Sequence, residues 1–190
     1  NPASASLDWK KVHFWWGDER FVASDSPDRN ALQAKQALLN QIETDIYKVH
    51  EFPSTDEFSG DLDQAAEGFA AELAAVAPGD AIAPKFDVIF MGMGPDGHIA
   101  SLFPGKPLPA AGLTVIAVHD SPKPPPARLS LTYDVLNTAE SIWFLVAGAD
   151  KADAAASALG DSGSTLPAAR IKGTRETVWF IDAAASAKLG

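Results

Sequence analysis

The stretch FDVIFMGMGPDGH, residues 86–98, decides the fold. Its first half, Phe86 to Met91, is an apolar, aromatic and β-branched run that reads as a strand. Its second half, Gly92 to His98, carries three glycines, a proline and an aspartate, a turn composition. The run is continuously apolar rather than alternating, the pattern of a strand covered on both faces. The same character returns at 12–16 (VHFWW), 113–118 (LTVIAV), 142–147 (IWFLVA) and 177–181 (TVWFI), with further strands at 47–52 and 128–132. Helical patterns fall between them. One opens at Ser26-Pro27-Asp28, an N-cap, a proline and an acidic first turn, and runs to about Ile42. The second, 60–76, places Leu62, Ala66, Phe69 and Leu73 on one face. Shorter helices are predicted at 133–139 and 150–159, with a closing one at 182–189. Strand and helix alternate, which predicts one α/β domain: a doubly wound, mostly parallel sheet flanked by helices.

Composition narrows the function. The net charge is −10, which argues against nucleic acid, because binding its phosphates needs a basic face. Local clusters of Arg and Lys still allow a small anionic substrate. No apolar run approaches the roughly 20 residues of a membrane helix. There are no cysteines, so disulfides, thiolate metal sites and cysteine nucleophiles are excluded, and a cytoplasmic location is expected. The four histidines, His13, His50, His98 and His119, show no metal-ligand spacing, so no metal is expected.

The glycine loop has the literal dinucleotide pattern, Gly92, Gly94 and Gly97, with Asp120 near the place of a ribose-binding carboxylate. The physics opposes that reading. A long crossover helix must follow the glycines, yet Pro104, Pro107 and Pro109 limit any helix to one or two turns over 99–103. Asp96 sets a negative charge where a pyrophosphate would sit, and Pro95 lacks an N–H. No cofactor is therefore expected. The loop suits a different use. His98 stands at the C-terminal end of a central strand, the edge where open α/β sheets bind ligands. An imidazole there suits proton abstraction at neutral pH, with Asp96 orienting it. On spacing alone a second reading stands beside this one: Asp96 caps a short helix and His98 is an ordinary surface histidine.

Four segments carry a family resemblance. GMGPDGHIASLFPG (92–105), WWGDERFV (15–22), SPDRN (26–30) and SPKPPPARLSLT (121–132) closely resemble the signatures of the 6-phosphogluconolactonase family, in the family's order and across most of the chain. Glucosamine-6-phosphate deaminases share the loop through DGHIA but continue differently from Ser101-Leu102-Phe103-Pro104. The resemblance implies the fold of ribose-5-phosphate isomerases, glucosamine-6-phosphate deaminases and CoA transferases. It implies hydrolysis of 6-phospho-D-glucono-1,5-lactone, with His98 activating water, Asp96 supporting it, and Arg20 holding the phosphate or the oxyanion. Lys123, Arg128 and Gly94 complete the substrate-binding set. A related isomerase or deaminase and a non-catalytic sugar-phosphate-binding module are the alternatives. A monomer is expected. Family members normally begin with a further strand–helix segment bearing a glycine-rich loop. No such segment is found in this sequence, so an N-terminal βα unit is expected to be missing.

Other features have plainer readings. Asp18 and Glu19 are expected in a polar, solvated loop over 18–26 rather than as a catalytic pair. One of Trp15 and Trp16 should pack in the core. The prolines of 121–126 should form a stiff connector that places Lys123. There is no G-x-S-x-G or H-E-x-x-H motif.

Overall fold

A computed structural model describes residues 7–190. In chain order the strands are β1 (Phe14–Trp15), β2 (Asp18–Arg20), β3 (Val49–His50), β4 (Val88–Met91), β5 (Val115–Val118), β6 (Arg128–Leu131), β7 (Ser141–Val146) and β8 (Glu176–Ile181). The helices are α1 (Asn30–Ala37), α2 (Leu62–Val76), α3 (Tyr133–Leu136) and α4 (Ala152–Gly160). The α/β class is as predicted, but the sheet is divided. β1 pairs with β3 in parallel, and β4, β7 and β8 form a parallel sheet in that order. The third sheet, β2-β6-β5, is antiparallel. The reason lies in the connection between β5 and β6. It holds Pro122, Pro124, Pro125 and Pro126 and is too short for a crossover helix, so the chain turns straight back.

α2 is built as its sequence predicts. The Asp61 carboxylate accepts from the Gln64 N–H (3.0 Å) and caps it. Leu62, Ala65, Ala66, Phe69 and Leu73 are buried, and the helix lies against β5 and β6. Phe69 stacks on Phe52 with ring centroids 3.9 Å apart; truncating such a buried ring costs about 3–5 kcal/mol. Beneath it Trp15 stacks on His50 at 3.8 Å. His50 Nδ1 donates to Glu72 of α2 (2.7 Å), and its Nε2 accepts from His13 Nδ1 (2.9 Å). These two histidines therefore tie β1, β3 and α2 together.

Several elements differ from expectation. α1 begins at Asn30, not at Ser26, and only a short 3-10 turn, Leu39–Gln41, continues it. Tyr47 lies in a 3-10 turn, and the strand there is only Val49–His50. The predicted closing helix over 182–189 is a series of turns. Ala185 is the one fully buried side chain there, so no apolar face exists to repay helix nucleation.

The cover of the β4-β7-β8 sheet is one-sided. Ile89, Met91, Ile142, Phe144 and Val146 face the core. On the opposite face Val88, Phe90, Leu145 and Phe180 are exposed, with Phe90 in register with Trp143 and Leu145 with Phe180. The two-sided burial expected from the sequence is not present on that face among the described residues.

Candidate active site

β4 ends at Met91 and opens into the glycine loop. The Gly94 N–H donates to His98 O (2.9 Å) and the Gly97 N–H to Gly94 O (2.9 Å), which folds the loop back on itself. Gly97 has φ +79°, natural only for glycine. A Cβ on Gly94 would overlap the His98 ring and the Asp96 carboxylate, so this glycine is a condition for their meeting. The short helix expected over 99–103 is instead a tight turn, closed by Leu102 N–H to Ile99 O (2.8 Å). Its backbone is drawn sideways to β6, where the Ser101 N–H donates to Ser130 Oγ (3.1 Å). The long helix that a dinucleotide site requires is therefore not there.

His98 Nδ1 lies 2.5 Å from Asp96 Oδ1. A carboxylate only accepts, so Nδ1 carries the hydrogen and Nε2 keeps the lone pair. Lys123 Nζ stands 3.4 Å from the same Asp96 oxygen and 3.2 Å from His98 Nδ1. Phe103 closes the other side of the imidazole at a centroid distance of 4.8 Å. Burial pushes the His98 pKa below the ordinary imidazole value; Asp96 opposes this and Lys123 adds to it. His98 is thus neutral at pH 7. Burial works to raise Asp96, but the His98 hydrogen bond and the Lys123 charge outweigh it and hold the carboxyl below its usual value.

The expected solvated loop at 18–26 is wrong at its start. Asp18–Arg20 is strand β2, paired to β6, and Glu19 is fully buried. Glu19 accepts from the N–H groups of Arg20 (2.8 Å), Asn30 (2.7 Å) and Ala31 (2.8 Å). It thus supplies the cap that α1 lacks from its own Ncap residue, and its charge suits a helix N-terminus. Asp18 accepts from Ser101 Oγ (2.6 Å), and burial raises its pKa against that bond and the Arg128 and Arg20 charges. Arg20 Nη1 donates to Asp28 O (2.7 Å) and Asn30 Oδ1 (2.8 Å), while its Nε is buried with no hydrogen-bond partner. Arg128 is largely committed to the proline connector. Its Nε donates to Pro125 O (2.9 Å) and its Nη2 to the carbonyls of Lys123 (3.2 Å) and Pro124 (3.0 Å). It therefore sets the backbone that presents Lys123.

These groups converge on one cleft of about 460 Å³. Arg20, Gly94, His98, Lys123 and Arg128, read from widely separated segments, all line it, and Asp96 stands behind His98. Lys151 and Asn30 line it too and were not singled out, and so does Asp18, which was expected in the solvated loop. Lys151 follows the C-terminal end of β7, the edge where parallel sheets bind ligands, and that rule was the available signal. The cleft offers a neutral imidazole base beside four cationic side chains, a set suited to a phosphorylated, electrophilic substrate. Among the described residues, no group of three or more His, Asp or Glu is placed to hold a metal ion, and no helix is long and apolar enough to cross a membrane.

Comparisons with known proteins show the family. The family model described as glucosamine-6-phosphate isomerases/6-phosphogluconolactonase matches residues 1–179. A 6-phosphogluconolactonase of Streptomyces coelicolor is 44% identical over 194 residues, covering 100% of this chain and 74% of the relative. One of Mycobacterium tuberculosis is 47% identical over 187 residues, covering 96% of this chain and 75% of the relative. The crystal structure of a devB protein superposes with a TM-score of 0.86 at 36% identity, covering 100% of this chain and 79% of that one. With the family model matched over residues 1–179 and relatives at 44–47% identity, the chain belongs to the glucosamine-6-phosphate isomerase/6-phosphogluconolactonase family.

Proposed function

We propose that this chain hydrolyses 6-phospho-D-glucono-1,5-lactone to 6-phospho-D-gluconate, the lactonase step of the oxidative pentose phosphate pathway, as a cytoplasmic enzyme. The observation that carries the reading is the Asp96–His98 pair, with Nε2 left free as base in a cleft rich in cations. His98 Nε2 takes a proton from water as the water oxygen attacks the lactone carbonyl carbon. The oxyanion that forms is stabilised by a neighbouring cation, Lys123 or Arg20. Collapse of the tetrahedral intermediate breaks the bond to the ring oxygen, which takes the proton back from the His98 imidazolium. Water is consumed, the ring opens, and the acid product then ionises. The remaining cations, Arg128 and Lys151 among them, hold the phosphate and fix the lactone relative to the base.

Proton release from freshly generated lactone, measured above its spontaneous hydrolysis, tests this. Turnover is expected for the unchanged chain and a loss of roughly 10²–10⁴-fold for His98→Ala. Glucosamine 6-phosphate should be left unchanged. Equal rates for the chain and His98→Ala would sink the mechanism, and release of ammonia from the amino sugar would move the chain to the other branch of the family.

A further inference from the structure

The turn that carries His98 has a second side. Behind it lies a separate cavity of about 440 Å³, a volume typical of small-molecule sites. Leu102, Phe103, Ile116 and Val118 give it an apolar floor, and Tyr133 and Arg170 stand at its rim. The basic side chains around it differ in their commitments. Lys106 pairs with Asp120, and His119 meets Asp63 at 3.1 Å. Arg170 makes one side-chain bond, Nε to Thr165 O (3.1 Å), and has no carboxylate partner among the described residues, in a chain of net charge −10. The Tyr133 hydroxyl is half-buried and makes no hydrogen bond to the protein among the described residues. Burial raises its pKa, against the Arg170 charge, so it stays a neutral donor. An unspent guanidinium fork and an unspent hydroxyl thus stand over apolar surface. Phe103 lines this cavity, and its ring lies 4.8 Å from that of His98, which lines the catalytic cleft.

The geometry points to a second ligand site in this cavity, for a small organic anion whose charged group meets Arg170 and Tyr133 and whose compact apolar body rests on Leu102 and Phe103. An occupant there presses on the aromatic ring that fixes the His98 imidazole, without entering the cleft.

An NMR titration of the whole chain with 1-naphthoate and 1-naphthyl phosphate tests the site. Neutral 1-naphthamide and inorganic phosphate serve as controls. Saturable shifts are expected at the amides of Phe103, Val118, Tyr133 and Arg170, with movement of the His98 ring protons. Naphthamide and inorganic phosphate should each bind at least tenfold more weakly. Arg170 is exposed, so Arg170→Gln should leave the spectrum folded and weaken naphthoate at least tenfold. Equal binding by naphthamide, unchanged affinity in Arg170→Gln, or shifts confined to Val88, Phe90, Leu145 and Phe180 would overturn the site. Binding that leaves His98 unmoved would overturn the link through Phe103. The readout is binding alone, so its result is independent of whether the chain hydrolyses a lactone.

Discussion

Replacing Glu19 with alanine should cost this protein about 3–5 kcal/mol. The carboxylate is fully buried and accepts from the backbone N–H groups of Arg20, Asn30 and Ala31 at 2.7–2.8 Å. Two of those donors belong to the start of α1. Left without an acceptor, each buried N–H costs about 1–3 kcal/mol. Glu19 also stands 3.9 Å from Arg29 Nε, and Arg29 is only 3% exposed. Removing one member of a buried ion pair costs about 3–5 kcal/mol. The contributions overlap, because the remaining Arg29 donors keep the Phe52 and Pro53 carbonyls, so the larger figure bounds the loss. Urea unfolding would read it as a midpoint lowered by roughly 2 M for an m-value of about 2 kcal/mol/M. Glu19→Gln keeps an acceptor but loses the charge and should fall between the two. A Glu19→Ala midpoint within about 0.3 M of the parent would mean that water replaces the carboxylate, and the brace described here would be refuted.

Other expectations concern the cleft. Activity should fall on the acid side with an apparent pKa below 6.5, because burial depresses His98 and the neutral form is the base; a pH profile of kcat/KM checks this. Lys123→Met removes a charge that lowers the His98 pKa, so that limb should move to higher pH while kcat/KM drops; a limb that stays put would place Lys123 away from the base in solution. Asp96→Asn should move the limb the other way and cut kcat by roughly 10² through loss of the Nδ1–H orientation, with KM little changed. Gly94→Ala should disrupt the Asp96–His98 contact and cost a similar factor, since small displacements of a catalytic group are expensive; near-normal kcat would show that the loop opens freely.

The parts of this fold legible in the sequence are those whose signal is local. α2 has its apolar stripe and its Asp61 cap within one segment, and β4, β7 and β8 are recognisable from continuous apolar runs. β2 escaped because Asp18-Glu19-Arg20 has no apolar residue. It is a strand through pairing with β6, and Glu19 is tolerated inside because backbone donors and Arg29 from further along the chain meet it. The same reasoning separates the site residues. His98 and Asp96 stood out as titratable groups in a glycine turn at a strand end. Arg20, Lys123 and Arg128 came from the resemblance alone, and spacing could not have told that Arg128 mostly holds the backbone of the proline connector. Lys151 was missed because one lysine at a helix start is chemically ordinary until its strand is placed beside β4.

Asp18 and Ser101 meet at a sequence separation of 83 residues, and Lys123 reaches His98 at a separation of 25. Bringing chain ends together over the first span costs about 4 kcal/mol of closure entropy, and over the second about 3. Neither contact gains anything until the strands beneath it have docked. During synthesis or refolding, α2 can form early from neighbouring residues, while the cleft must wait for β2 to find β6 from the far part of the chain. The pocket therefore cannot precede the long-range pairing of β2 with β6, whereas α2 needs only its own segment.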